Sequence, residues 1–336
     1  MDRAFRIAPS KGGRYTVGMN GPSRLRIVIL MHESYRGCHG RYVVELIAEL
    51  WRSDGHDVVY LYGPGEFVAA DVCLVHVDLS VVPDDYLDFA RRYPVALNGR
   101  VRDVRKSTIS RQRVRSADDW EGPVIVKSDL NFGGAPERLA DARARGWLAR
   151  LVRRVDRRVR RRAHAESRES IARHPLDYRI FERFEDVPES IRLRRDLVIE
   201  RFIAERDGER YCVRNMSFLG ERASCVRLAG FNPIVNGQTC DRVENVEPHP
   251  EALALRVAMD FDYGKFDYVE VDGRVVLLDA NKTVGCDPSI LEDPVLAGLR
   301  RWRADGLYDL LEAATRDRSG DGSSPSASGS FGASAR

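Results

Sequence analysis

The most restrictive stretch of this chain is GKFDYVEVDGRVVLLDANKTVG, residues 264–285. Asp272-Gly273 stands between two strand-like runs, and Asp-Gly is a preferred dipeptide of the tight turn that joins antiparallel strands. An antiparallel hairpin is therefore expected here. One arm carries Asp267, and the other carries Asp279 and Asn281. Asp279 and Asn281 are two residues apart, so their side chains share a face. Two carboxylates and an amide oxygen converging on one spot form a hard, all-oxygen donor set. Such a set suits Mg²⁺, which keeps waters and phosphate oxygens in its octahedron. The bland alternative is an edge hairpin with solvated acids. Against it, Asp279 and Asn281 end an otherwise apolar strand.

Residues 25–100 follow a different rule. IVILM, from Ile27, is a continuous apolar run of the kind found in buried parallel strands. RYVVELIAELWRSDG, residues 41–55, is an amphipathic helix with Val44, Ile47, Ala48 and Trp51 on one face and Gly55 as its stop. HDVVYLY, ADVCLVHVD and PVALNG read as further strands, with DDYLDFARRY as a helix between the last two. Alternating strand and helix imply a small, open, parallel α/β domain. Ligands of such sheets sit beyond the strand C-termini, so the loops His32–Gly40 and His76–Ser80 are candidate substrate surfaces. After Arg100 the pattern changes to α+β with mostly antiparallel sheet, over about 101–310. Residues 1–23 and the Gly/Ser-rich 319–336 read as loose tails.

The 336 residues carry 54 Lys and Arg against 51 Asp and Glu. This near balance argues against a general polyanion binder, nucleic acid included. No early apolar run is long enough for a signal or membrane helix, and the six cysteines form no CxxC pair. A cytoplasmic location with reduced thiols and no membrane partner is the expectation. Only Lys11, Lys106, Lys127, Lys265 and Lys282 are lysines; all other basic residues are arginines. Arg-biased codons explain the arginines. A retained lysine then marks a place where a compact, mobile ammonium is needed rather than a planar fork.

Two more segments carry chemistry. In GPVIVKSDLNFGGAPE, residues 122–137, a strand delivers Lys127 and is followed by Gly133-Gly134. A strand lysine and a Gly-rich turn can hold one phosphate chain between them, although this is not the P-loop pattern. In DLVIERFIAERDGERYCVR, residues 196–214, Glu200, Arg201, Phe202 and Ile203 offer backbone groups and an apolar face to an adenine ring. Glu205 or Asp207 would accept from ribose hydroxyls.

Taken in this order, the three segments resemble the ATP-grasp superfamily, in particular its glutathione-synthetase-like carboxylate–amine ligases. Asp267, eleven residues, Asp279, one residue, Asn281 is similar to that family's metal set, with Asp279 where Glu is more usual. VIVK and Gly133-Gly134 resemble its phosphate lysine and closing loop, and IERFI its adenine hinge. The likeness covers about 25–310, with 25–100 as the preceding α/β domain. It implies ATP and Mg²⁺, with Mn²⁺ as the alternative ion, and small-molecule or peptide carboxylate and amine substrates. It also implies phosphate- or substrate-contacting roles for Arg214, Arg227 and Lys282. Lys106 precedes Lys127 by less than the usual spacing, which leaves its equivalence to the family's first nucleotide lysine open. The oligomeric state is not readable.

The reaction implied is phosphorylation of a carboxylate to an acyl phosphate, followed by attack of an amine or other nucleophile. A small-molecule phosphotransferase on the same fold and a non-catalytic nucleotide-binding scaffold are the competing readings. The Arg-rich stretch 143–162, within an apparent helical insertion at about 138–175, reads as an amphipathic basic helix and a possible dock for an anionic partner.

Overall fold

The computed structural model describes residues 24–38, 42–144, 178–285 and 294–320. The tail 1–23, most of the Arg-rich stretch and the Gly/Ser-rich end beyond residue 320 lie outside the described residues.

The first layer forms as the apolar pattern requires. Strands β1 (Arg26–Met31), β2 (Asp57–Tyr62), β3 (Val72–His76) and β4 (Val95–Leu97) make a parallel sheet in the order β2-β1-β3-β4. Helices α1 (Val43–Ser53) and α2 (Asp84–Ala90) connect them. The four α1 positions expected to face inward are completely buried. Gly55 takes a φ of 92°, the left-handed conformation expected after a helix end.

Beyond Arg100 the sheet structure is antiparallel and divides in two. A short helix α3 (Lys106–Ile109) precedes β5 (Val124–Ser128), which lies between β6 (Arg179–Phe181) and β7 (Leu197–Arg201) in a three-stranded sheet. Helix α4 (Ala135–Ala144) follows β5, and a one-turn helix α5 (Glu189–Arg192) precedes β7. The larger sheet has six strands: β8 (Glu205–Asp207), β9 (Arg210–Leu219), β10 (Arg222–Gly230), β11 (Arg242–Val246), β12 (Tyr263–Val271) and β13 (Arg274–Asn281). Its order is β11-β10-β9-β12-β13, with β8 also paired to β9. Helix α6 (Pro250–Ala258) covers one face, where Met216, Phe218, Phe266, Tyr268 and Ala252 form a buried core. The fold is thus a four-stranded parallel sheet followed by antiparallel sheets.

The layers are joined by apolar packing and by hydrogen bonds, those of one asparagine among them. Helices α7 (Pro294–Ala304) and α8 (Gly306–Gly320) return to the first layer: Ala304 and Leu307 share a buried cluster with Ile27, Ile47 and Trp51. The Trp51 indole donates to the Ala304 carbonyl at 3.0 Å. Asn98, after β4, is fully buried with a φ of 55°. Its side chain donates to the Tyr263 carbonyl at 2.8 Å and accepts from the Asp262 and Tyr263 amides, so the start of β12 is anchored to the end of β4. Among the described residues no helix is long and apolar enough to cross a membrane, and Cys38, Cys73, Cys212, Cys225 and Cys240 are free thiols.

Candidate functional site

The hairpin forms at Asp272-Gly273, whose φ values of 53° and 71° are those of a tight two-residue turn. It is not regular. From Val271 opposite Arg274 the ladder runs in step to Tyr268 opposite Leu277, then shifts so that Asp267 faces Asp279. Without that shift Asp267 would face Leu278, and Asp279 would lie on the other side of the sheet. Leu278 is the extra residue, and a bulge of this kind re-aims the side chains beside it. The sequence shows a hairpin; the irregularity is what makes the two carboxylates meet.

Asn215 on β9 is also in register with Asp267, and its amide donates to the Asp267 carboxylate at 2.5 Å. Lys265, opposite Asn281, brings its ammonium to 3.0 Å from Asp267. Lys106, only 2% exposed, lies 3.4 Å from Asp279. Gly264 is required next to this cluster, because a Cβ there would come within 2.5 Å of the Asn281 carbonyl oxygen. Asn281 Oδ1 accepts from Asn131 Nδ2 at 3.2 Å.

Asn215, Lys265, Asp267 and Asp279 line a cavity of about 240 Å³, and Lys106 reaches it only through Asp279. Lys127 and Tyr178 line it with Arg201, Phe202, Ile203 and Tyr211. Pro233–Gly237, in the loop after β10, completes the lining. Lys127 pairs with buried Glu200 at 2.7 Å. The amides of Arg201 and Phe202 are donated to the Gln112 and Pro123 carbonyls, which leaves the Ile203 amide without a protein acceptor among the described residues. The Gly-rich segment Asn131–Gly134 holds three successive positive φ values, 47° at Phe132, 61° at Gly133 and 71° at Gly134. Two of these suit glycine; Phe132 adopts one despite its side chain and is 65% exposed.

The electrostatics follow from crowding like and unlike charges in a dry place. Burial raises the Asp267 carboxyl above its ordinary range; Lys265 pulls it down and Asp279 pushes it up further. Burial works against the Lys106 charge, but Asp279, Tyr178 and Glu200 together outweigh it and the ammonium is held above its usual value. Burial takes the Tyr178 hydroxyl up to about 12, partly opposed by Lys106. Lys282 is different. It is buried at the loop after β3, donates to the Leu79 carbonyl, and is pushed down to about 8 by burial, with Asp78 and Glu137 opposing.

Four residues expected at the site are elsewhere. Arg214 and Arg227 face each other on β9 and β10 and share the side of Met216, opposite to that of Asn215. The pleat decides this, since neighbours in a strand point to opposite faces. Both guanidinium groups bind Glu205, at 2.9 Å and 2.8 Å. Glu205 also accepts the Glu270 amide at 2.9 Å, so its carboxylate is fully engaged away from the cavity. Asp207 pairs with Arg227 and Arg242. The ribose assignment of Glu205 and Asp207, and the phosphate assignment of Arg214 and Arg227, are corrected accordingly. Conversely, Asn131, Tyr178 and Asn215 escaped sequence reasoning. Asn215 lies directly beside Arg214 in the sequence, and choosing the wrong phase of one strand exchanged them.

Among the described residues no three His, Cys, Asp or Glu side chains gather as a metal site. The candidate set is two carboxylates and an amide. It fits a hard divalent ion on its own chemistry: all three donors are oxygens, and the Asn131 amino group opposite Asn281 Oδ1 fixes which end of that amide is oxygen.

No family model and no curated protein matches the sequence. Solved structures do. The RiPP-associated ATP-grasp ligase of Chryseobacterium gregarium, in complex with ADP and a leader and core peptide, is 10% identical, with a TM-score of 0.47 over 84% of this chain and 96% of that one. The Bacillus anthracis D-alanine–D-alanine ligase complexed with ATP is 12% identical, with a TM-score of 0.42 over 89% of this chain and 100% of that one. The RimK domain ATP-grasp protein of Sphaerobacter thermophilus is 12% identical, with a TM-score of 0.41 over 84% and 98%. Over most of its length, the chain is distantly similar in structure to ATP-grasp ligases.

Proposed function

We propose that the chain is an ATP- and Mg²⁺-dependent ligase that activates a carboxylate for attack by an amine or another nucleophile. The γ-phosphoryl group passes to a carboxylate oxygen and ADP leaves. The nucleophile then attacks the acyl carbon, phosphate is expelled with the carboxylate oxygen, and the nucleophile gives up its proton. The observation that carries this reading is the gathering of Lys127, Lys265, Asp267 and Asp279 on one cavity that Phe202 and Ile203 also line, with Lys106 paired to Asp279.

Each part has a physical task. Phe202 and Ile203 supply an apolar surface for a base, and the Ile203 amide, which has no acceptor among the described residues, supplies one hydrogen-bond donor to its edge. Lys127 can exchange Glu200 for a phosphate oxygen, since an ammonium on a flexible stem swings where a guanidinium fork is held. Asp267, Asp279 and Asn281 would hold the divalent ion, whose contribution is to neutralise charge on the phosphate oxygens. Lys106 and Lys265 balance the two carboxylates and are within reach of the same charge. Catalysis of this kind is mainly positioning and electrostatic stabilisation.

The test is ATP consumption over a panel of amino acids and small carboxylates, with mass analysis of the products. A ligase releases phosphate and a condensed product; a kinase leaves phosphate on its substrate. Nucleotide binding with no turnover on any of the panel would favour the scaffold reading.

A further inference from the structure

We propose that Asn131 is a positioning residue through which the Gly-rich segment orients the amide of Asn281, so that seating of that segment and divalent-ion binding are one coupled event. The inference rests on the reading of Asp267, Asp279 and Asn281 as the divalent site.

All the hydrogen-bonding groups used by Asn131 are spent on separate parts of the molecule. Its amino group donates to the Ala280 carbonyl at 3.1 Å and to Asn281 Oδ1 at 3.2 Å. Its own Oδ1 accepts from Lys106 at 3.4 Å. Its backbone amide donates to the Ser80 hydroxyl at 2.9 Å. One side chain therefore touches β13, the start of α3 and, through its backbone, the loop after β3. Ser80 is itself fixed: it is 2% exposed, its amide donates to Glu137 on α4 at 2.7 Å, and its carbonyl accepts from Val104 at 2.9 Å.

The chemistry of the amide gives this arrangement its consequence. The amino group of Asn131 can only donate, so the group facing it on Asn281 must be the oxygen. A flipped Asn281 would set two amino groups against each other and would offer nitrogen where a cation needs oxygen. Asn131 thus keeps Asn281 in its ion-binding orientation. It does so only while the Gly-rich segment is seated, because Asn131 begins that segment. The segment's own backbone favours glycine at Gly134, whose φ is 71°. Outer groups that orient a metal ligand typically change metal affinity by about 10–100-fold when removed.

The experiment is calorimetric titration with ADP, once in EDTA and once in saturating MgCl₂, on the wild type, Asn131→Ala and Ser80→Ala. In the wild type Mg²⁺ is expected to strengthen ADP binding. In Asn131→Ala that gain should fall by about tenfold or more, while affinity in EDTA stays within about threefold. Ser80→Ala, which removes only the acceptor of the Asn131 amide, should show a smaller loss of the same kind. Thermal melting establishes that each variant is folded, and Ser80→Ala keeps the test open if Asn131→Ala is not. A full Mg²⁺ gain in Asn131→Ala overturns the inference alone, and so does an equal loss with and without Mg²⁺. A wild type that binds ADP without any Mg²⁺ effect overturns the divalent assignment beneath it. A wild type that binds no ADP overturns the nucleotide reading as well.

Discussion

The two faces of the six-stranded sheet treat the same charges in opposite ways. On the face of Met216, Arg214 and Arg227 clamp Glu205, and Glu270, Glu244 and Asp207 complete the ring. On the face of Asn215, Lys265 and Lys106 lie against Asp267 and Asp279 beside a cavity. Guanidinium forks make several hydrogen bonds to each carboxylate at fixed geometry, and such pairs lock a structure. Ammonium groups are point charges on mobile stems and can change partner when a ligand arrives. In a chain whose basic residues are nearly all arginine, Lys127 and Lys265 line the cavity and Lys106 pairs with Asp279 beside it.

Breaking the lysine face should have the largest effect on chemistry. Asp279→Ala or Asp267→Ala is expected to cut turnover by about 10³-fold or more in protein that is still folded, read by ATP consumption and calorimetry. Full activity in either variant would remove the metal assignment. Breaking the arginine face should instead cost stability. Glu205→Ala removes the acceptor that two part-buried guanidinium groups share, leaving Glu270, Glu244 and Asp207, a loss of about 2 kcal/mol by urea denaturation, while kcat/KM of the folded fraction stays near wild type. Lys127→Arg sharpens the contrast because charge is conserved. Activity is expected to fall by about 10²-fold, and near-normal turnover would show that the scarcity of lysine had been over-read.

The smallest effect concerns Lys282, which belongs to neither face and is buried against Leu79. Its folded value of about 8 lies below the ordinary lysine value of about 10.4. The folded state therefore gives up this proton before the unfolded state does. Charged Lys282 costs stability below pH 8, and the cost is relieved as pH rises from about 8 towards 10.4. The stability difference between wild type and Lys282→Met should shift in favour of wild type by about 2 kcal/mol between pH 7 and 9.5. An unchanged difference would mean that the ammonium is not depressed.

What could be read in the sequence was set by short-range pattern. The apolar run at Ile27, the face of α1 and the turn at Asp272-Gly273 are local signals, and each element forms where its pattern places it. The lysine count needs no geometry, and two of the five lysines, Lys127 and Lys265, line the cavity. The errors arose from phase. In β9 the choice between Arg214 and Asn215 is a choice of face, and no local signal distinguishes an arginine that binds phosphate from one that binds Glu205. The bulge at Leu278 is likewise invisible, since it depends on how β12 pairs with β9 as well as with β13. Long-range contacts were out of reach for the same reason: Asn131 meets Asn281, and Asn98 meets Tyr263, only after the layers have packed.

The division between the two faces is tested most directly by titrating MgADP into the wild type, Lys127→Ala and Arg214→Lys. Lys127→Ala should bind at least about tenfold more weakly, and Arg214→Lys should stay within about twofold of wild type, since only the first variant touches the cavity. Intact affinity in Lys127→Ala together with a large loss in Arg214→Lys would contradict the account, because the nucleotide would then have to lie on the arginine face.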